Sequence, residues 1–141
     1  MGRIIGIDYG RKRTGIAVTD PLQMIAGGLE TLATDKLISW LEAYTAKEPV
    51  DCIVVGIPSM LDGSESETTI TYIRPFINRL KKRFTDITID TIDERYTSKL
   101  AVRAMTEGGM KKKDRRDKAN IDKVSATIIL QSYLETKRMM R

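Results

Sequence analysis

The feature that most constrains the fold is a short, nearly unbroken apolar run, DCIVVGI, at residues 51–57. A strand with apolar side chains on both faces must be covered on both faces, which is typical of a parallel strand inside an α/β sheet. The single cysteine, Cys52, lies in this run and is predicted to be a small core residue. The run therefore predicts a layered domain in which helices cover a sheet.

Four further segments have the composition of strands. Residues 3–8 and 14–19 flank a basic turn bounded by glycines, and they are predicted to form a hairpin. The segment AGGLETLA at 26–33 and the alternating, β-branched ITIDTI at 87–92 read as two more strands. Three strands that follow one another directly, and then strands that alternate with helices, predict a mixed five-stranded sheet.

The remaining segments are predicted to be helical. Residues 35–47 carry apolar residues at spacings of three and four, among them Trp40, which is expected to anchor this helix in the core. Pro75 lies in a second helix, at about 66–83, and predicts a kink or a late start. Two more helices are predicted at about 97–107 and 120–137. Together the elements predict a single α/β domain over residues 1–141.

The composition limits the chemistry that the chain can perform. Histidine is absent, which excludes histidine bases, Ser-His-Asp and Cys-His nucleophile systems, and zinc sites that need histidine. Carboxylates or lysines must therefore carry any catalysis. No apolar run is long enough to cross a membrane, and Asp8 interrupts the first one too early for a signal peptide, so a cytoplasmic protein is expected.

The positive charge of the chain is concentrated in one segment. The formal net charge is +5, and residues 108–120, GGMKKKDRRDKAN, carry six lysines and arginines against two aspartates. A basic loop on a nearly neutral body indicates a polyanionic partner, most simply nucleic acid, although a solvated surface loop has the same composition. The predicted nucleic-acid contacts in this segment are Lys111, Lys112, Lys113, Arg115 and Arg116.

Three carboxylates stand where a reaction can use them. Asp8 and Glu94 follow the ends of predicted strands, where ligands bind in parallel sheets, and Asp122 lies in the first turn of the last helix. If these groups converge, their repulsion predicts a raised pKa or a bound cation, and oxygen ligands favour Mg²⁺ or Mn²⁺. Two such ions cleave phosphodiesters without histidine. The alternatives are structural: a turn cap, an ion pair of Glu94 with Arg95, and a favourable charge at a helix N-terminus.

Four motifs in order along the chain resemble one known family. The stretches GIDYGRKRTGIAVTD, VGIPSMLDGS, DERYTS and DKVSATIILQSYL are similar to the YqgF/RuvX family of the RNase H-like superfamily, which is itself similar to the RuvC Holliday-junction resolvases. The resemblance implies a three-layer RNase H-like fold. It also implies a metal-dependent endo- or exonuclease that processes the 5′ end of pre-16S rRNA, with cleavage of branched DNA as the alternative.

The resemblance also implies roles for individual residues. It assigns Asp8, Glu94 and Asp122 as catalytic residues and as ligands of Mg²⁺ or Mn²⁺, with two ions expected. It makes Lys12, Arg13 and Arg95 candidates for phosphate contacts, although the first two equally suit a solvated turn and the third can orient Glu94. In the loop after residues 51–57, Met60 and Leu61 are expected in the core rather than stacked on a base.

Two other functions fit parts of the same sequence. The strand ending in Asp-x-Gly resembles the phosphate-binding hairpin of the actin, sugar-kinase and Hsp70 superfamily, but those proteins need a second such hairpin, and none is found in the 141 residues. The non-enzymatic alternative is a basic nucleic-acid-binding module whose acidic cluster is structural. The oligomeric state, monomer or homodimer, is left open by the sequence.

Overall fold

The structure, a computed structural model, describes residues 2–58, 60, 62–94 and 118–139, with side chains in the last range from residue 122 onward. The helix predicted at about 97–107 and most of the basic segment 108–120 lie outside the described residues.

Within this part of the chain, five strands form one mixed sheet. The strands are β1 (Arg3–Asp8), β2 (Arg13–Thr19), β3 (Ala26–Ala33), β4 (Val50–Ile57) and β5 (Thr88–Asp93). Their spatial order is β3-β2-β1-β4-β5; β2 is antiparallel to both β1 and β3, whereas β4 is parallel to both β1 and β5. The predicted mixed five-stranded sheet is confirmed, and β4 separates the two strands whose ends carry Asp8 and Glu94.

In the described ranges, three α-helices pack on this sheet. They are α1 (Leu37–Lys47), which follows a 3-10 turn at Thr34–Lys36, α2 (Arg74–Arg83) and α3 (Lys118–Met139). Pro75 lies in the first turn of α2, directly after a π-helical turn at Thr69–Ile73. Proline has no N–H to donate into the preceding turn, and the wider turn accommodates that loss. No helix in the described ranges is long and apolar enough to cross a membrane.

The sheet has a hydrophobic core on each face. Ile5 and Ile7 of β1 point to the face that α1 and α2 cover, where Leu41, Phe76 and Leu80 are also buried. The alternate residues of β1 point to the opposite face, which α3 covers. The buried residues on the α3 face include Ile4, Cys52, Val54, Ala126, Ile129, Leu130 and Tyr133, so Cys52 is a core residue as predicted.

Two glycines let α3 lie directly on the strands. A Cβ on Gly6 of β1 would lie 2.8 Å from the Cβ of Leu130, and a Cβ on Gly15 of β2 would overlap the carbonyl oxygen of Asp122. Interiors packed at this density leave no room for an added methyl group. The glycines therefore fix the beginning of α3 beside the carboxyl end of β1.

Two expectations about the core need correction. Met60 is 54% exposed, so its predicted place in the core is wrong, and Leu61 lies outside the described residues. Trp40 is only half-buried at the rim of the core, where its ring stacks on Tyr44 and its Nε1 donates a hydrogen bond of 2.9 Å to Glu30 on the edge strand β3. An indole needs a partner for its N–H, and the rim supplies one.

Candidate active site

The first carboxylate of the candidate site is the last residue of β1. Asp8 pairs with Gly15 on β2, the glycine over which the Asp122 end of α3 lies. Side chains alternate along a strand, and Gly6 faces α3, so Asp8 points to the same face as α3. Strand β1 and helix α3 thus bring Asp8 and Asp122 to one end of the sheet.

The middle strand leaves space between the other two carboxylates. Gly56 of β4 pairs with Ile92 of β5, two residues before Glu94. A Cβ on Gly56 would lie 3.4 Å from the Cγ of Glu94 and 2.6 Å from the Cδ1 of Ile129. Because β4 carries no side chain at this level, the side chain of Ile129 occupies the space that one would fill, and the side chain of Glu94 lies beside that space.

The charges of Glu94 and Asp122 act on the buried carboxyl group of Asp8. Burial, the charge of Glu94 and the charge of Asp122 together raise the pKa of Asp8 from 3.8 to about 7, with burial the largest cause. Burial and the neighbouring Asp93 also raise the pKa of Glu94. Both shifts have the direction expected of carboxylates that are partly removed from water and repel one another. The charges of Glu94 and Asp122 therefore act on Asp8 at one end of the sheet, and the meeting of all three carboxylates in one metal site stays a prediction.

Asp122 has a partner of opposite charge. The Nε of Arg13, at the start of β2, lies 3.3 Å from the Oδ2 of Asp122, and both side chains are partly exposed. Arg13 is a candidate for a phosphate contact, and in this structure it contacts one of the three site carboxylates. A guanidinium here neutralises some of the negative charge that the other two carboxylates feel.

The donor set suits a hard divalent cation. Asp8, Glu94 and Asp122 offer only carboxylate oxygens, which Mg²⁺ and Mn²⁺ prefer, and a cation would relieve the repulsion that raises the pKa of Asp8. Among the described side chains, no three histidines, cysteines or acids are already gathered at metal-binding distances. The residues fit such an ion by chemistry and charge, and binding one requires them to move closer together.

The other predicted contacts fall into two groups. Lys12 is exposed in the turn between β1 and β2, next to Arg13. The rest lie outside the described residues, so their contacts with nucleic acid stay predictions: Arg95, Lys111, Lys112, Lys113, Arg115 and Arg116.

A second charged feature was missed in the sequence. A cleft of about 690 Å³ opens on the α2 side of the sheet, beside Tyr9, and is lined by several cations. Three of these cations, Arg79, Lys82 and Arg83, are spaced three and four residues apart on α2, which places them on one helix face. That spacing was the available signal in the sequence.

Comparison with known proteins gives consistent results along almost the whole chain. A family model described as "RuvX: Holliday junction resolvase" matches residues 2–136. A protein of Bacteroides thetaiotaomicron named "Putative pre-16S rRNA nuclease" is 54% identical over 138 residues, which cover 98% of this chain and 99% of that protein. A protein of Porphyromonas gingivalis with the same name is 54% identical over 135 residues, covering 96% of this chain and 97% of that protein.

A solved structure shares the fold. T. thermophilus RuvC, in complex with Holliday junction substrate, superposes with a TM-score of 0.64 and 12% sequence identity, covering 99% of this chain and 96% of that one. At this identity the likeness concerns the fold alone, and it confirms the predicted RNase H-like arrangement. Because the family model covers nearly the whole chain and bacterial relatives of the same length share about half of its residues, the chain belongs to the RuvX family.

Proposed function

We propose that the protein is a nuclease that hydrolyses phosphodiester bonds in the 5′ leader of pre-16S rRNA, in the cytoplasm. The relatives of the same length carry the name of such a nuclease, which supports the substrate. The observation that supports the chemistry is the position of Asp8 at the end of β1, on the face that α3 covers, where the charges of Glu94 and Asp122 add to burial in raising its pKa. Carboxylates that converge without histidine are suited to metal-assisted hydrolysis.

Asp8, Glu94 and Asp122 are the residues that would hold Mg²⁺ or Mn²⁺, with two ions as our proposal. When bound, such ions activate a water molecule and stabilise the leaving oxygen. The chain's own contribution is to keep three negative charges at one end of a rigid sheet. Asp8 is fixed by pairing in β1, and Asp122 by the close approach of α3 to Gly15. Arg13 holds one oxygen of Asp122, so ligation through that oxygen requires Arg13 to release it.

The substrate is held, in this proposal, by cations around the carboxylates. Lys12, Arg13, Arg95 and the basic residues of the segment 108–120 contact phosphates, which gives affinity that falls as salt rises. Phosphate contacts carry no sequence information, so the protein recognises the cleavage site in the leader by the shape of the RNA and by its unpaired bases. The description of the family model supports one alternative substrate, a Holliday junction.

Side-by-side cleavage tests the proposal. Purified protein is incubated with a pre-16S 5′-leader RNA and with a four-way DNA junction, with Mg²⁺, with Mn²⁺ or with EDTA. We expect metal-dependent cleavage of the RNA, abolished by Asp8→Asn. The matched control is Asp86→Asn, an exposed carboxylate just before β5 at the opposite end of the sheet, which should cleave like wild type.

The outcomes separate the candidates. Cleavage of the junction alone would replace the RNA by branched DNA as substrate. Cleavage that survives Asp8→Asn would remove this residue from the mechanism. If wild-type protein binds both substrates but cuts neither with either metal, the nuclease proposal fails and the protein is a nucleic-acid-binding module.

A further inference from the structure

A basic cleft lies on the face of the sheet opposite α3, and we name it the α2 cleft. It has a volume of about 690 Å³. Its lining combines aromatic and aliphatic side chains with four cations and one acid. The lining includes Tyr9, Arg11, Phe76, Arg79, Lys82 and Arg83. None of these residues belongs to the carboxylate site.

We propose that the α2 cleft binds an unpaired, single-stranded stretch of the nucleic acid, a base or two away from the phosphate at the carboxylate site. The inference deepens the proposed function, on which it rests for the identity of the bound chain as substrate. It assigns a second contact region that holds bases as well as phosphates.

The charges of the cleft suit phosphates. Arg83 is engaged by Glu42, whose Oε1 lies 2.7 Å from its Nη2, so this arginine is partly neutralised. The other three cations, Arg11, Arg79 and Lys82, form no salt bridge within the described part of the chain. They therefore offer positive charge to a polyanion without first breaking an ion pair, and Asp35 is the one acid in the lining.

Two of these cations are held in place by aromatic rings. The guanidinium carbon of Arg11 lies 4.4 Å from the centroid of the Tyr72 ring, and that of Arg79 lies 5.8 Å from the centroid of Phe76. A guanidinium on an aromatic face keeps its N–H donors available at its edge. The cleft thus presents oriented donors, which lowers the ordering cost of binding a phosphate.

The aromatic side of the cleft suits a base. The ring of Tyr9 is half-buried and packs against the buried ring of Phe76, with centroids 4.8 Å apart and planes inclined by 31°. Tyr9 also lines the cleft, so part of its ring remains accessible there. Single-stranded nucleic acids bind by stacking bases on such fixed rings beside cations, whereas the bases of a duplex are already stacked on one another.

The position of Tyr9 connects the cleft to the carboxylate site. Tyr9 directly follows Asp8 at the carboxyl end of β1, and successive side chains of a strand point to opposite faces. Asp8 therefore points towards α3 and Tyr9 towards α2, with a single peptide bond between them. A nucleic acid chain that crosses this end of the sheet reaches both, because each side chain flanks the same strand end.

Binding measured without divalent ions tests the cleft separately from cleavage. A fluorescently labelled single-stranded RNA of about eight nucleotides, within the range that one such site covers, is titrated in EDTA. Replacing two phosphate contacts in R79A/K82A should weaken binding about tenfold and lower the slope of log affinity against log salt by about 1.4. The control is K47A/K81A, which removes two exposed cations outside the cleft and should bind like wild type.

A second variant pair tests the stacking itself. The same RNA with 2-aminopurine reports stacking on an aromatic ring as fluorescence quenching. Quenching should be retained in Tyr9→Phe and lost in Tyr9→Leu. Tyr9→Phe keeps the packing on Phe76, so loss of quenching in a folded Tyr9→Phe protein contradicts stacking on this ring. If both Tyr9 variants fail to fold, the binding of R79A/K82A decides.

The results separate this inference from the proposed function. The proposal for the α2 cleft is overturned if R79A/K82A and K47A/K81A bind the single strand with equal affinity. It is also overturned if the wild-type protein binds a duplex RNA as tightly as the single strand. If the cleft variants lose binding but wild type cleaves nothing, the cleft stands and the nuclease proposal fails. If cleavage depends on Asp8 but the cleft variants bind normally, the nuclease stands and the cleft is overturned.

Discussion

The two faces of the sheet meet at the end of β1 and differ in how they are built. On the α3 face, glycines bring helix backbone against strand backbone, and the charged groups are carboxylates. On the α1/α2 face, large side chains such as Phe76 and Leu80 fill the core, and the exposed charges near Tyr9 are cations. One strand end thus separates an acidic site from a basic cleft.

Because of this difference, the carboxylate site and the α2 cleft respond differently to substitutions. The carboxylate site depends on backbone approach, where a single added methyl group displaces a helix. The cleft depends on exposed side chains of α2, where a cation can be removed without disturbing the core. Substitutions on one face should therefore leave the function of the other face intact.

The largest effect is expected from Gly15→Ala. The new Cβ would overlap the carbonyl oxygen of Asp122, so α3 must shift away from β2. Overpacking of this kind costs about 1–3 kcal/mol in free energy of unfolding, and the displaced Asp122 should reduce cleavage strongly. Urea denaturation and the leader-RNA assay measure the two losses.

The matched control is Gly27→Ala on the edge strand β3, where an added Cβ meets no atom within 4 Å. It should change stability and cleavage little. Single-stranded RNA binding in EDTA should survive in Gly15→Ala, because the α2 cleft lies on the other face. Loss of that binding in a folded Gly15→Ala protein would show that the two faces are coupled.

A smaller effect on the free energy of unfolding is expected when Asp8→Asn removes the charge of Asp8. Its pKa is about 7 in the folded protein and 3.8 as the ordinary value, so folding favours the protonated form. The folded state binds more protons, and the stability due to this group is complete below about pH 4 and is lost as the pH rises through about 7. In EDTA at about pH 8, Asp8→Asn should therefore raise the free energy of unfolding by about 1–2 kcal/mol.

The measurement is urea denaturation of both proteins across that pH range. The difference between wild type and Asp8→Asn should shrink as the pH falls and approach zero below about pH 4, where the Asp8 carboxyl is protonated in both the folded and the unfolded state. Asp86→Asn, at the opposite end of the sheet, should show no such pH-dependent gain. A wild type as stable as Asp8→Asn at pH 8 would mean that neither burial nor the neighbouring charges raise the pKa of Asp8.

The comparison of sequence with structure divides along the same two faces. The strands, the mixed sheet and the place of Asp8 and Glu94 at strand ends follow from apolar periodicity and from the rule that strand ends carry sites. The closeness of α3 to β2 does not, because a glycine in a strand is equally compatible with a turn or a bulge until the partner helix is known.

The basic cleft was less accessible to prediction for a related reason. The spacing of Arg79, Lys82 and Arg83 is local and visible, but the meeting of α2 with Tyr9 and Arg11 is a tertiary contact between segments far apart in the chain. Met60 and Trp40 were expected in the core, and their exposed and rim positions also depend on tertiary contacts that the sequence does not show. Hydrophobicity indicates that a side chain prefers burial, but the packing of other elements decides whether a core site exists for it.

The smallest effect on stability is expected from Arg13→Ala, which removes the ion pair with Asp122. Both side chains are partly exposed, so the free energy of unfolding should change by less than about 1 kcal/mol. Since Arg13 competes with a cation for the Oδ2 of Asp122, Arg13→Ala should lower the Mg²⁺ concentration needed for half-maximal cleavage. Lys12→Ala removes the neighbouring exposed cation and should not lower it. If Arg13→Ala instead raises the Mg²⁺ requirement, Arg13 does not compete with the cation for Asp122.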